Sequence, residues 1–147
     1  MNDGVVVDAS VAVKWVVDEE HTDRALTLLR DKAAEPILGP PHLASEVSNA
    51  IYQRLRRHHI DANEAAQALE RFLETGVQPS SPNGLYQQAF EFGRVHALKN
   101  IYDSLYVVLA QMLRLELWTD DRTLVSMVGS AAPWVRWIGQ YPLPRSG

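Results

Sequence analysis

Short apolar runs alternate along the chain with longer segments in which apolar residues recur at every third or fourth position. The short runs are typical of buried strands, and the periodic segments predict helices with a buried face. The predicted strands or extended pieces are 5–7, 35–41, 77–78, 116–118 and 134–138. The predicted helices are 11–17, 21–34, 41 to the basic stretch at 54–59, 61–75, 85–98, 101–112 and a short one around 124–128. Strands that alternate with helices in this way predict an α/β fold whose parallel sheet is covered on both faces.

The most apolar of these helices has a carboxylate at its opening turn. Leu105, Val108, Leu109 and Met112 recur at helical spacing and predict one core-facing side. Asp103 stands just before them and is expected near the positive end of the helix dipole. At that position a carboxylate can cap the helix or bind a cation.

Composition narrows the classes of protein. The chain has 147 residues, enough for one domain with a proper core, so residues 1–147 are expected to form a single domain with an extended tail from about 139. The absence of cysteine excludes disulfides, thiolate zinc sites and a cysteine nucleophile. No apolar run approaches the roughly 20 residues of a membrane span, and the stretch Met1–Gly4 lacks the basic start of a signal peptide. The expected location is therefore cytoplasmic.

Net charge also bears on the partners. At −4 the chain is not expected to coat nucleic acid through its overall field. A nuclease that relies on a metal ion and a local patch remains compatible with this charge.

Four acidic residues are predicted to meet at one edge of the sheet. Asp8 closes the first strand and Asp121 follows the strand at 116–118. Glu46 and Asp103 stand near helix starts, and helices entered from strands begin at the same edge. Because ligands of parallel sheets gather beyond the carboxyl ends of the strands, we expect these side chains to converge there.

Such a convergence predicts a metal site. Carboxylates held close together repel one another, and some must protonate unless a cation is present. Oxygen donors suit Mg²⁺ or Mn²⁺, and such ions activate water and neutralise charge in the in-line displacement of a phosphodiester. The inferred reaction is therefore hydrolysis of a nucleic-acid backbone by a metal-activated water.

The same residues form an ordered set of motifs across the chain: Asp8-x-Ser10, Glu46-x-x-Asn49, Asp103-Ser104-Leu105 followed by Val108-Leu109-Ala110, and Thr119-x-Asp121-x-x-Leu124. This set resembles the PIN-domain family, in particular the VapC ribonuclease toxins of prokaryotic toxin–antitoxin pairs. The resemblance implies a three-layer α/β/α sandwich with a central, mainly parallel sheet. It also implies a Mg²⁺- or Mn²⁺-dependent endoribonuclease that forms a homodimer and is held in check by a small VapB-type antitoxin. The helical pair at 41–74 would help to form the dimer and the antitoxin groove.

The resemblance also implies roles for particular residues. Asp8 and Asp103 match the family's metal ligands, and Glu46 and Asp121 match its other two acids, which act directly or through metal-bound water. We count Asp121 among the expected ligands, since the motif spacing selects it over its neighbour Asp120. The polar positions that match residues orienting these acids are Ser10, Asn49 and Thr119.

Other interpretations of these residues remain open. Taken singly, each acid also suits a helix cap, a dipole-compensating position, a turn or a solvated face. A PIN nuclease of RNA maturation or of DNA structures would carry the same acids. A Mg²⁺-binding phospho-acceptor module would need a lysine after a late strand, or a second aspartate where this chain has Ser10. A catalytically inactive binding protein would not need the four acids. Whether Lys14, within two turns of Asp8, touches substrate is left open.

Overall fold

A parallel β-sheet lies at the centre of the computed structural model, which describes residues 3–145. Its strands are β1 (Val5–Val7), β2 (Ile37–Gly39), β3 (Gln78–Pro79), β4 (Leu117–Thr119) and β5 (Val135–Trp137). The strand order is β3-β2-β1-β4-β5, and every neighbouring pair is parallel. The chain runs outward from β1 to β2 and β3, then returns to β4 on the other side of β1. The strand order therefore reverses between β1 and β4.

Seven α-helices accompany the sheet within the described residues. They are α1 (Ala9–Ala12), α2 (Thr22–Asp31), α3 (Leu43–Arg56), α4 (Ala62–Glu74), α5 (Leu85–Val95), α6 (Ile101–Leu113) and α7 (Arg122–Val128). The predicted α/β sandwich with a parallel sheet is confirmed. None of these helices, over residues 3–145, has the length and apolar character needed to cross a bilayer.

The first helix is shorter than its apolar pattern predicts. α1 has a single α-helical turn, and the chain continues as a 3₁₀ turn over Val13–Trp15. The segment is rich in valine, whose β-branched side chain lowers helix propensity. Lys14 therefore lies in the 3₁₀ turn and not in an α-helix.

The sixth helix is buried on more sides than predicted. Every residue from Ser104 to Ala110 is buried, because α6 lies between α5 and strands β1 and β4. The Ser104 hydroxyl donates a hydrogen bond to the Ala89 carbonyl of α5. Gly93 faces the same serine, and a Cβ there would stand 3.4 Å from its Oγ. Close packing at this point holds the first turn of α6, which includes Asp103, against α5.

The end of the chain corrects the predicted tail. Ile138–Gln140 forms a 3₁₀ turn, so the extended segment does not begin at about 139. Tyr141 then packs edge-on against Trp118, with ring centroids 4.9 Å apart, and its hydroxyl donates to Asp31 at 2.7 Å. These contacts hold the chain against the core through Tyr141. Residues 1–2 and 146–147, the outer parts of the expected N-terminal segment and tail, lie outside the described residues.

Candidate active site

The candidate site lies where the strand order reverses. Asp8 directly follows β1, and its backbone N–H donates to the Trp118 carbonyl of β4 at 3.3 Å. Its side chain is buried, with 8% exposed, and Oδ1 accepts from the Val11 N–H at 3.3 Å as the N-cap of α1. In open α/β sheets, ligands bind in the crevice at such a switch point. The fold therefore places Asp8 at the position where this architecture accommodates a ligand.

Two hydroxyl groups connect Asp8 to the loop after β4. Ser10 Oγ donates to Asp8 Oδ1 at 2.5 Å and accepts from the Asp120 N–H at 2.8 Å. Thr119 Oγ1 donates to Asp8 Oδ2 and accepts from the Asp121 N–H at 3.0 Å. Each hydroxyl donates its proton to the Asp8 carboxylate and accepts a hydrogen bond from a backbone N–H group. Asp8 and the Asp120–Asp121 loop are thereby fixed relative to each other.

Glu46 lies in the first turn of α3 and is held by two side chains. The Tyr106 hydroxyl donates to Glu46 Oε1 at 2.5 Å, and His42 Nε2 lies 3.1 Å from the same oxygen. Burial raises the pKa of Glu46, but the adjacent His42 imidazole and the hydrogen bond from Tyr106 outweigh it and leave the pKa below its usual value. Glu46 therefore stays ionised, with its Oε1 atom already occupied.

Asp103 has a different environment, because another residue caps its helix. Asn100 Oδ1 accepts from the Asp103 N–H at 3.1 Å and serves as the N-cap of α6. Across residues 3–145 the Asp103 carboxylate has no hydrogen bond and no ion pair of its own. Of the two roles predicted for it, capping is thus filled by Asn100, which leaves the carboxylate free for a ligand.

Asp121 caps α7 through Oδ1, which accepts from the Leu124 N–H at 3.0 Å. Asp121 is thus the N-cap of α7, as Asp8 is the N-cap of α1.

The pKa values of Asp8 and Asp103 are raised, and the charges of other acids contribute to both shifts. Burial raises the pKa of Asp8 to about 6, against the hydrogen bonds from Ser10, Thr119 and Val11, and the charge of Glu46 raises it further. Burial also raises the pKa of Asp103, with Asp121 and Glu46 acting in the same direction and Lys99 and His42 against it. Interactions of this kind act between groups that lie near one another. The charges thus couple Asp8 with Glu46, and Asp103 with Asp121 and Glu46.

The four acids offer oxygen donors of the kind that a divalent metal ion needs. Carboxylate oxygens are the donors that Mg²⁺ and Mn²⁺ prefer, and like charges that raise one another's pKa are relieved by a cation. Within residues 3–145 no three His, Asp or Glu side chains are already arranged to hold an ion. The residues fit a hard divalent cation by their chemistry, while the carboxylates of Asp8, Glu46 and Asp121 already accept hydrogen bonds within the protein.

One predicted orienting residue, Asn49, does not hydrogen-bond to the acids among residues 3–145, and two contacts of Glu46 were not predicted. Asn49 is exposed and accepts from Gln53 Nε2 at 3.3 Å, and over the described range it has no hydrogen bond to the acids. The sequence prediction missed His42 and Tyr106, which hold Glu46. Their spacing was a usable signal, since His42 lies four residues before Glu46 and Tyr106 three residues after Asp103, each one helical turn away.

Comparison with known proteins adds a family match. The family described as PIN domain matches residues 5–128. Ribonuclease VapC12 of Mycobacterium tuberculosis is 29% identical over 128 residues, which cover 87% of this chain and 95% of the relative. Ribonuclease VapC3 of Pyrobaculum aerophilum is 30% identical over 122 residues, which cover 82% of this chain and 91% of the relative.

A solved structure is similar in fold. The crystal structure of PAE2754 from Pyrobaculum aerophilum superposes with a TM-score of 0.67 at 22% identity and covers 92% of both chains. At this identity the likeness bears on the fold alone, and it agrees with the α/β sandwich described above.

Proposed function

The chain belongs to the PIN domain family and is of the VapC type, and from this premise we propose that it is a metal-dependent endoribonuclease, the toxin of a type II toxin–antitoxin pair. Both curated relatives are named ribonucleases, which supports RNA as the substrate. The metal dependence is supported by the charge couplings of Asp8 with Glu46, and of Asp103 with Asp121 and Glu46. In this proposal Asp8, Asp103 and Asp121 are metal ligands, and Mg²⁺ is the expected ion, with Mn²⁺ as the alternative.

The chain's own residues would divide the work of phosphodiester hydrolysis. A bound divalent ion supplies charge neutralisation and activates water. Asp8 is held by two hydroxyls, so its oxygens are positioned before substrate arrives. Asp103 presents an oxygen pair with no competing hydrogen bond among residues 3–145, and Glu46 stays ionised beside them. The net reaction forms a bond from the water oxygen to phosphorus and breaks one ester P–O bond, the leaving oxygen taking a proton.

Removal of the metal is expected to abolish cleavage. Purified protein incubated with structured RNA should cut it in Mg²⁺ or Mn²⁺ and should lose this activity in excess chelator, because the clustered acids would be left without their counter-charge. Activity should return on adding back the ion. A DNA of the same sequence serves as the substrate control. Cleavage that persists in chelator would refute the metal dependence, and equal cleavage of DNA would refute the assignment of RNA as the substrate.

Thr119→Val tests the hydroxyl that joins Asp8 to Asp121. The side chain is fully buried, so the isosteric change leaves the Asp8 oxygen and the Asp121 N–H without their partner. We expect the free energy of unfolding to fall by about 1–3 kcal/mol and RNA cleavage to fall about 10- to 100-fold, as for groups that orient metal ligands. Urea unfolding and cleavage of a labelled RNA measure the two effects.

Thr27→Val is the matched control, because Thr27 is also buried and its hydroxyl donates to the Asp23 carbonyl within α2, at 2.8 Å. It should alter stability and leave cleavage unchanged. Equal cleavage by the wild type and Thr119→Val would contradict the orienting role.

The toxin role has its own test. Expression of the chain should arrest bacterial growth, and co-expression of the small protein encoded beside it, expected to be a VapB-type antitoxin, should restore growth. We also propose that the chain is a homodimer, acts in the cytoplasm and is a single domain, and that α3 and α4 contribute to the dimer and the antitoxin groove. Light scattering of the purified protein gives the oligomeric state. Unimpaired growth with active enzyme in the cells would favour an RNA-maturation nuclease instead.

A further inference from the structure

Lys14 is a buried lysine with two acidic partners. Its side chain is 3% exposed, and Nζ lies 2.9 Å from Glu19 Oε1 and 2.9 Å from Asp120 Oδ2. Removing an ammonium group from water is costly unless it is paired and hydrogen-bonded. Because the side chain is buried, it cannot reach an RNA in solvent. The possibility that Lys14 touches substrate is therefore replaced by an internal role.

Asp120 is the partner that links Lys14 to the acids. Its Oδ2 pairs with Lys14, its Oδ1 accepts from Trp137 Nε1 at 3.1 Å, and its N–H donates to Ser10 Oγ. Asp120 is the residue directly before Asp121, so its carboxylate is close enough in sequence to join the acid group. Both of its oxygens are instead held by Lys14 and Trp137.

The contacts from Lys14 to Asp8 are continuous. Lys14 holds the Asp120 carboxylate, the Asp120 N–H holds Ser10 Oγ, and Ser10 Oγ donates to Asp8 at 2.5 Å. Movement of Asp120 would therefore release the hydroxyl that orients Asp8. Glu19 is less dependent on Lys14, since Arg54 also pairs with it.

We propose that Lys14 is a positioning residue that keeps the Asp120 carboxylate out of the acid group and thereby fixes Asp8 through Ser10. The inference rests on the proposed function, because it concerns the same metal site. Replacing Lys14 should strengthen metal binding and weaken catalysis. A free carboxylate next to Asp121 adds negative charge and attracts a divalent ion more strongly, while Asp8 loses its fixed orientation and cleavage slows.

The test compares Mn²⁺ affinity with RNA cleavage in the full chain. Mn²⁺ binding is followed by the electron paramagnetic resonance signal of the free ion, on the wild type, Lys14→Met, Asp120→Asn and the double variant. We expect Lys14→Met to bind Mn²⁺ about 3- to 10-fold more tightly and to cleave RNA about 10- to 100-fold more slowly. The loss should lie in kcat, with KM for RNA unchanged. Adding Asp120→Asn should remove both effects, and Lys14→Arg should stay close to the wild type.

Glu19→Gln is the matched control, because it removes the other partner of Lys14 and leaves the pair with Asp120 in place. It should change stability without changing Mn²⁺ affinity or kcat. If Lys14→Met does not fold, Lys14→Gln keeps a donor for Asp120 and should show the same two shifts in smaller size.

Three results separate the explanations. Parallel loss of Mn²⁺ binding and cleavage in Lys14→Met would assign Lys14 a purely structural role and overturn the proposal. Failure of Asp120→Asn to reverse the two shifts would overturn it as well. A wild type that binds no Mn²⁺ would instead refute the proposed metal-dependent function, and the inference would be refuted together with it.

Discussion

Replacing Asp103 with asparagine is expected to lower RNA cleavage by more than about 100-fold, beyond the loss usual for a residue that only orients a ligand. The change should leave the fold intact, because Asn100 caps α6 and the Asp103 carboxylate has no hydrogen bond within residues 3–145. Stability should even rise slightly. Burial raises the pKa of Asp103, and Asp121 and Glu46 add to that rise, so the uncharged amide removes a repulsion. Single-turnover cleavage in Mg²⁺ and urea unfolding in chelator measure the two quantities.

Asp61→Asn is the control for Asp103→Asn. Asp61 is also an aspartate at the start of a helix, where it forms a capping box with Glu64, and asparagine caps helices about as well as aspartate. It should change neither cleavage nor stability. An Asp103→Asn protein with wild-type cleavage would remove Asp103 from the site, and an unfolded one would show a structural role that the described contacts do not explain.

Local patterns predicted much of the fold. The β-branched run at 5–7 is a central strand, and Asp61 with Glu64 forms the predicted capping box. Both features are decided by a few neighbouring residues, which is the information that periodicity and capping rules contain. Where the prediction differs, longer-range packing decides: α6 is buried on several sides because α5 covers it, a contact that no spacing within α6 reveals.

Asp103 is predicted to lie at the sheet edge on the rule that a helix entered from a strand begins there. α6 does not meet this condition, because it follows α5 with no strand between them. The position of Asp103 depends instead on the packing of Ser104 against Ala89 and Gly93. The partners of Glu46 show the same limit, since Tyr106 lies 60 residues away along the chain. Sequence patterns identify acids that suit a metal, but contacts between distant elements decide how each acid is held.

The acid group should also cost the folded protein stability, and Asp8 should show this most clearly. Burial raises its pKa from 3.8 to about 6, so between these pH values the native state binds a proton that the unfolded chain has released. Stability therefore falls as pH rises through this window and stays low above it. This difference between the folded and unfolded pKa of Asp8 lowers the free energy of unfolding by about 3 kcal/mol at neutral pH.

We therefore expect Asp8→Asn to be more stable than the wild type at pH 7.5 in chelator, although it should be inactive. Asparagine has one oxygen fewer to accept from Ser10 and Thr119, and the lost hydrogen bond costs about 1 kcal/mol of stability. The free energy of unfolding should therefore be higher than that of the wild type by about 2 kcal/mol. The advantage should disappear below pH 4, where the wild-type carboxyl is protonated in both states. Added Mg²⁺ should stabilise the wild type by mass action and not the variant. Urea unfolding at pH 4 and pH 7.5, with and without Mg²⁺, measures all of these differences. A stability difference between the two proteins that does not change with pH would show that Asp8 is not a strained buried charge.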